Sequence, residues 1–265
     1  MQASFKKTTR SSGLRKKAFS TVFLITFTAS SLFAQKKNTT TQNQQWLQYY
    51  NQIKLAGKWV LLTDVGYRWK NGFEESTQYI ARTGVGYSIS DHVRVSTGLA
   101  HLGFYSLGKI NKVEFRPYQE LIIKNKLNKV GLSHRYRIEE RFFYQVADGE
   151  IQTPNSFNFR LRYSCMASIP LFQLSSKRPE RTFILNIGDE IFINAGRNVV
   201  HNVFDQNRFI VSPTAQMNKD VSISLTWNGQ FAATAKPQNY NYTNVFWLQV
   251  KQQLDLTGKR VQKEK

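Results

Sequence analysis

The sequence predicts an all-β protein, a transmembrane antiparallel up-and-down β-barrel of about ten to twelve strands. Three observations predict it. Long runs alternate apolar and polar residues with a period of two. Turn signals separate those runs. An export leader precedes them.

Residues 1–34 read as a signal peptide. Lys6, Lys7, Arg10, Arg15, Lys16 and Lys17 form a basic stretch without an acid, and the apolar segment Ala18–Ala29 follows. Small residues then lead to a cleavage point at Ala34-Gln35, with Ala29-Ser30-Ser31 as an alternative. The apolar segment is too short and too rich in Ser and Thr to be a comfortable membrane anchor. The expected organisation is a leader at 1–34, a polar linker at 35–45, a barrel at 46–256 and a basic tail at 257–265.

Within the barrel, Trp59, Leu61, Thr63, Val65, Tyr67 and Trp69 share one face, and Val60, Leu62, Asp64, Gly66 and Arg68 the other. Tyr79–Ile89 and Val93–Leu99 alternate in the same way, as do Val130–Phe142, Phe157–Cys165, Phe183–Ile193 and Val221–Phe231. A last run covers 243–256, and less regular segments lie near Val113 and Phe209. Asn71-Gly72, Ser90-Asp91, Lys124-Asn125, Asp148-Gly149 and Asn218-Lys219-Asp220 mark turns. Runs of about ten residues are long for a soluble sandwich and long enough to cross a bilayer at a tilt. Aromatics at 14% suit interfacial girdles, and a mean hydropathy of −0.44 argues against a helical membrane protein but not against a barrel.

The charge is +20. Its bases are spread over many strands and interleaved with acids, and no recognition helix is visible, so nucleic acid is not an expected partner. The polar faces hold a candidate lumen charge network: Arg116 and Glu120; Arg135, Arg137, Glu139 and Arg141; Arg160 and Arg162; Glu190; and Arg208. Arg–carboxylate pairs can fill a narrow lumen without leaving unpaired charge, so the network reads as structural plugging, or else as a narrow passage for an anionic solute.

Catalytic, cofactor and metal residues are not predicted. Of the histidines His92, His101, His134 and His201, only His134 adjoins a serine, and Ser133 points to the opposite face of its strand. A Gly-x-Ser-x-Gly elbow is absent. Cys165 is the lone cysteine, and it is too far from the leader to accept a lipid. A lipid-modifying outer-membrane enzyme and a secreted soluble β-sandwich are the alternative readings.

Several strings resemble the outer-membrane barrels of unknown role catalogued as domain of unknown function 2490. They are Arg116-Pro117-Tyr118-Gln119-Glu120-Leu121, the run from His134 to Phe142, Phe159-Arg160-Leu161-Arg162-Tyr163, Asp189-Glu190-Ile191-Phe192-Ile193-Asn194, and Phe204-Asp205-Gln206-Asn207-Arg208. The resemblance covers about residues 40 to 256. It implies a Gram-negative outer-membrane barrel in contact with outer-membrane lipid and inserted by the barrel-assembly machinery. One departure is that the last strand fades at Leu254-Asp255-Leu256, where many barrels end on an aromatic used in assembly.

Overall fold

The computed structural model describes residues 38–257 except 198, 200 and 201. The expected leader, His201 and all of the basic tail but Thr257 lie outside the described residues. Every regular element is a strand: β1 (Asn38–Lys54), β2 (Trp59–Lys70), β3 (Glu75–Ser88), β4 (Val93–Ser106), β5 (Lys109–Leu127), β6 (Val130–Ala147), β7 (Glu150–Ile151), β8 (Ser156–Gln173), β9 (Thr182–Ala195), β10 (Phe204–Gln216), β11 (Val221–Ala233) and β12 (Asn239–Asp255). The two-residue β7 pairs only with the end of β6. The other eleven pair in chain order, and β1 closes on β12, which makes a barrel of eleven staves.

All neighbouring staves are antiparallel except the closing pair, β1 and β12, which run parallel from Asn38↔Asn239 to Lys54↔Asp255. Parity forces this. Around an odd number of alternating strands, the first and last point the same way. Alternation within a strand carries no information about its partner, so the junction could not be read from the pattern.

Two local expectations change. Residues 38–45, read as linker, are the first half of β1, paired with the similarly polar start of β12. Their run of Asn, Thr and Gln is polar on both faces and gives no alternation to read. The turn expected at Lys124-Asn125 lies at Asn128-Lys129 instead, where Asn128 takes a left-handed φ of 55°. The apolar-polar pattern of the remaining runs divides outer from inner wall as expected. Val65, Val85, Leu99, Leu161, Leu225 and Phe246 are each more than 40% exposed on the outside, and the alternate positions are buried inside.

The register also fixes close packing at one place. Gly84 and Gly98 face each other across β3 and β4, and Tyr118 on β5 is the next partner in the row. The Tyr118 side chain lies over both glycines. A Cβ on Gly98 would run into the Thr83 carbonyl oxygen and the Tyr118 hydroxyl, whereas one on Gly131 would meet only Ser168 at 3.7 Å. We therefore expect Gly98→Ala to lower the unfolding midpoint of the detergent-solubilised barrel by several degrees, and Gly131→Ala to leave it within about 1 °C, in line with overpacking against surface-type substitution. Equal midpoints for the two variants would contradict this packing.

Candidate functional site

The barrel interior is built row by row from the register. One row crosses six staves from β3 to β9 as Gly84, Gly98, Tyr118, Glu139, Arg160 and Asn194. The next runs from β4 to β10 as Ser96, Glu120, Arg137, Arg162, Phe192 and Gln206. A third carries Arg135, Ser164, Glu190, Arg208 and Gln230. Like charges therefore face each other directly at Arg137 and Arg162. Arg137 is held by Glu120 beside it in the same row, and Arg162 by Glu139 and Glu190 in the rows on either side.

All ten residues of the sequence-derived network point into the interior and are joined by ion pairs. Glu139 is the hub. It is fully buried, lies 2.6 Å from both Arg160 and Arg162, and has Arg116 at 3.5 Å and Arg137 at 3.8 Å. Glu190 accepts from Arg135 and Arg162 at 2.6 Å each, with Arg208 farther away at 3.9 Å. Glu120 accepts from Arg137 and has Arg135 at 3.9 Å. Arg141 does not reach the carboxylate beside it on its own strand. It bonds Glu114 on β5 at 2.7 Å, as does Arg116.

Four carboxylate or arginine members were not singled out from sequence. Glu114 stands two residues before Arg116 with the same parity, so the alternation rule would have found it. Asp205 bonds Arg160 at 3.1 Å from an irregularity between Phe204 and Gln206, where parity fails. Asp64 and Arg82 are direct partners on β2 and β3 and form a separate pair at 2.8 Å, with Gln48 donating to Asp64 at 2.5 Å. Their strands were read correctly, and only the cross-strand register brings the two side chains together.

The opposite wall is different in kind. On β10, β11 and β12 most of the inward residues apart from Arg208 are uncharged, and many are short: Ser212, Thr214, Ser224, Thr226, Asn228 and Thr243. Four of them pair, Ser212–Thr226 at 2.6 Å and Thr214–Ser224 at 2.8 Å, and Gln249 donates to Thr226 at 2.8 Å, whereas both side-chain polar atoms of Asn228 are buried without a hydrogen-bond partner among the described residues. Long arginines from the charged wall and a short polar wall facing them fill the interior between them. Glu114, Glu139, Ser224, Asn228, Phe192 and Val245 are all completely inaccessible to solvent. Aromatic rings complete the filling. The guanidiniums of Arg160, Arg162 and Arg208 lie 5.2, 4.5 and 4.6 Å from the Phe192 ring centre, and Arg137 lies 4.3 Å from that of Tyr118.

The histidines outside this interior make ordinary outer-wall contacts. His134 stacks on Tyr163 and hydrogen-bonds its hydroxyl at 3.0 Å, and His101 hydrogen-bonds the Tyr79 hydroxyl at 3.2 Å with the rings tilted at 42°. Among the described residues, no group of three or more His, Cys, Asp or Glu is placed to hold a metal ion.

A protein-family model described as "Protein of unknown function (DUF2490)" matches residues 43–241. Comparison with curated proteins gives no match.

The hub leads to a direct test. Glu139→Gln leaves four arginines around a neutral amide, and removing one partner of a buried ion pair costs about 3–5 kcal/mol. The expected outcome is a large drop in denaturant midpoint for E139Q in detergent, against no measurable change for Glu150→Gln on the exposed β7. An E139Q barrel within about 0.5 kcal/mol of the parent would remove Glu139 from its central place.

Proposed function

The chain belongs to the family described as protein of unknown function DUF2490, and from its apolar-coated, charge-filled barrel we propose an outer-membrane protein whose barrel is closed to ion flow at rest. The outer wall carries this reading. Large hydrophobics stand exposed over the middle of the staves, among them Leu47, Val65, Leu99, Leu225 and Leu248. An apolar surface of that extent calls for a lipid solvent.

Aromatic rings border the apolar band. Towards the Asn38 end, ring contacts link Tyr67, Tyr105, Tyr79, His101, Phe115 and Tyr144 across β2 to β6. Phe142–Phe157–Phe159 and Phe204–Phe231–Tyr240 continue the belt around the same end. Towards the other end stand Trp59–Tyr87 and Phe172–Phe183. On β2 the distance from Trp59 to Trp69 is ~33 Å along the strand, hence ~25 Å along a barrel axis tilted by ~40°, which matches the apolar height of a membrane barrel. A groove of about 520 Å³ on this wall, lined by Trp59, Val85, Tyr87, Leu121, Tyr136 and Ile138, has the apolar lining an acyl chain fits.

The inaccessible layer around Glu139, Asn228 and Ser224 supports the closed state, since a conducting path needs continuous water. The signal peptide read at 1–34 supports export, and insertion by the barrel-assembly machinery would follow. Two measurements test the proposal. The expressed protein is expected in the outer-membrane fraction with heat-modifiable mobility, and its recovery as a detergent-free soluble protein would overturn the location. Purified barrels in a planar bilayer are expected to be silent, and regular conductance steps would overturn the closure.

A further inference from the structure

The ionic balance inside the barrel does not close. Eight interior arginines share the six carboxylates of the ion-paired network and the Asp64–Arg82 pair. Arg68 and Arg94 point inward as well, and neither has a carboxylate in ion-pair range among the described residues. Their hydrogen-bond acceptors are the amide oxygens of Gln78 and Gln52. The interior therefore holds ten guanidiniums against six carboxylates. The rest of the chain has little to add, because residues 1–37 contain no acid and residues 258–265 contain only Glu264. Arg68 and Arg94 are half-buried, and cations drawn partly out of water without a carboxylate favour an anion beside them.

The surplus is most exposed around Arg68. Its guanidinium lies 3.8 Å from the ring centre of Trp46, and its Nε is buried without a hydrogen-bond partner. The charges acting on it most strongly are two further cations, Arg208 and Arg82. Arg82 is neutralised by Asp64, but Arg208 is not fully matched. Arg208 lies 5.4 Å from the same Trp46 ring, its nearest carboxylate is Glu190 at 3.9 Å, and Glu190 is already engaged by Arg135 and Arg162. Arg208 also donates to Gln230 at 3.0 Å and to the Gln206 side-chain oxygen at 2.9 Å, both neutral acceptors that leave its charge uncompensated. Planar guanidinium forks are the usual partners of tetrahedral oxyanions, and Arg68 has a donor to spare at its Nε.

We propose that the barrel interior binds a small oxyanion of the phosphate class, with Arg68 and Arg208 beside Trp46 as its principal ligands. The proposal deepens the closed-barrel reading but rests only on the interior, so it stands or fails independently of which membrane the protein occupies. The site gives the charge-filled lumen an occupant.

The test uses the full-length barrel purified in detergent in a chloride buffer, with inorganic phosphate as the probe at constant ionic strength. Phosphate at millimolar concentration is expected to raise the unfolding midpoint of the parent by several degrees and to bind in calorimetry at about one equivalent. Arg68→Gln and Arg208→Gln are each expected to weaken binding tenfold or more. Heat-modifiable mobility checks that both variants fold. Arg68→Gln is further expected to equal or exceed the parent in stability without phosphate, because it removes an uncompensated cation, which a merely structural arginine would not do. Glycerol phosphate separates the two sources of the ligand: competition with inorganic phosphate identifies a phosphate-ester site, and binding of inorganic phosphate alone identifies a free-ion site. An unresponsive parent, or an Arg68→Gln barrel that keeps the full phosphate response, would overturn the proposal.

Discussion

An eleven-stave barrel encloses more room than aliphatic side chains can fill, and that constraint orders everything inside this one. Eight strands leave an interior that ordinary side chains just occupy, and the diameter grows with strand number. The chain meets the added width with its longest side chains. Arginines on β5, β6 and β8 reach inward, and the wall they approach on β10 to β12 carries mainly short polar groups such as Ser224 and Thr226. Length on one wall and economy on the other bring the two walls into contact around Glu139 and Ser224. Once arginine is the filler, its charge has to be matched, and carboxylates appear beside the cations they serve, in the same row or the next.

That coupling explains why Glu139 is a hub and not one half of a simple pair. Four guanidiniums converge on it, among them Arg137 and Arg162, direct neighbours across β6 and β8 that repel each other unless an acid in the next row lies against both. Glu120 and Glu190 do the same service on the two flanks. Such a lattice has a single good arrangement, since sliding one strand by a residue would turn its charges out towards the apolar surface. The network sets register as much as it contributes stability, and a barrel with a flat polar interior would lack that constraint.

Much of this was legible in the sequence, for a physical reason. A barrel wall separates two environments, so each stave declares its faces residue by residue. The inward set Arg135, Arg137, Glu139 and Arg141 could be read from spacing alone. What spacing cannot give is the identity of neighbours. Asp64 and Arg82 belong to strands that were correctly read, yet their pairing depends on the register of a hairpin. Asp205 sits where a bulge breaks the period. The first half of β1 is built of Asn, Thr and Gln on both sides, so it offers no contrast between environments and looks like a linker.

The parallel junction follows from the same arithmetic of strands. With eleven alternating staves, β1 and β12 must run together, and parallel pairs are slightly weaker per residue than antiparallel ones. The barrel compensates by length and by interior contact. All 17 residues of β1 are in register with β12. Across the junction Trp46 meets Trp247 edge-on at 5.2 Å, and Gln42 donates to Thr243 at 3.0 Å. Trp46 is also the ring on which Arg68 and Arg208 converge, so the least favourable seam of the barrel and its surplus of positive charge meet at one side chain. A bound oxyanion there would neutralise the cations that flank the seam, and the element closing the barrel would then also be the element that senses whether the site is filled.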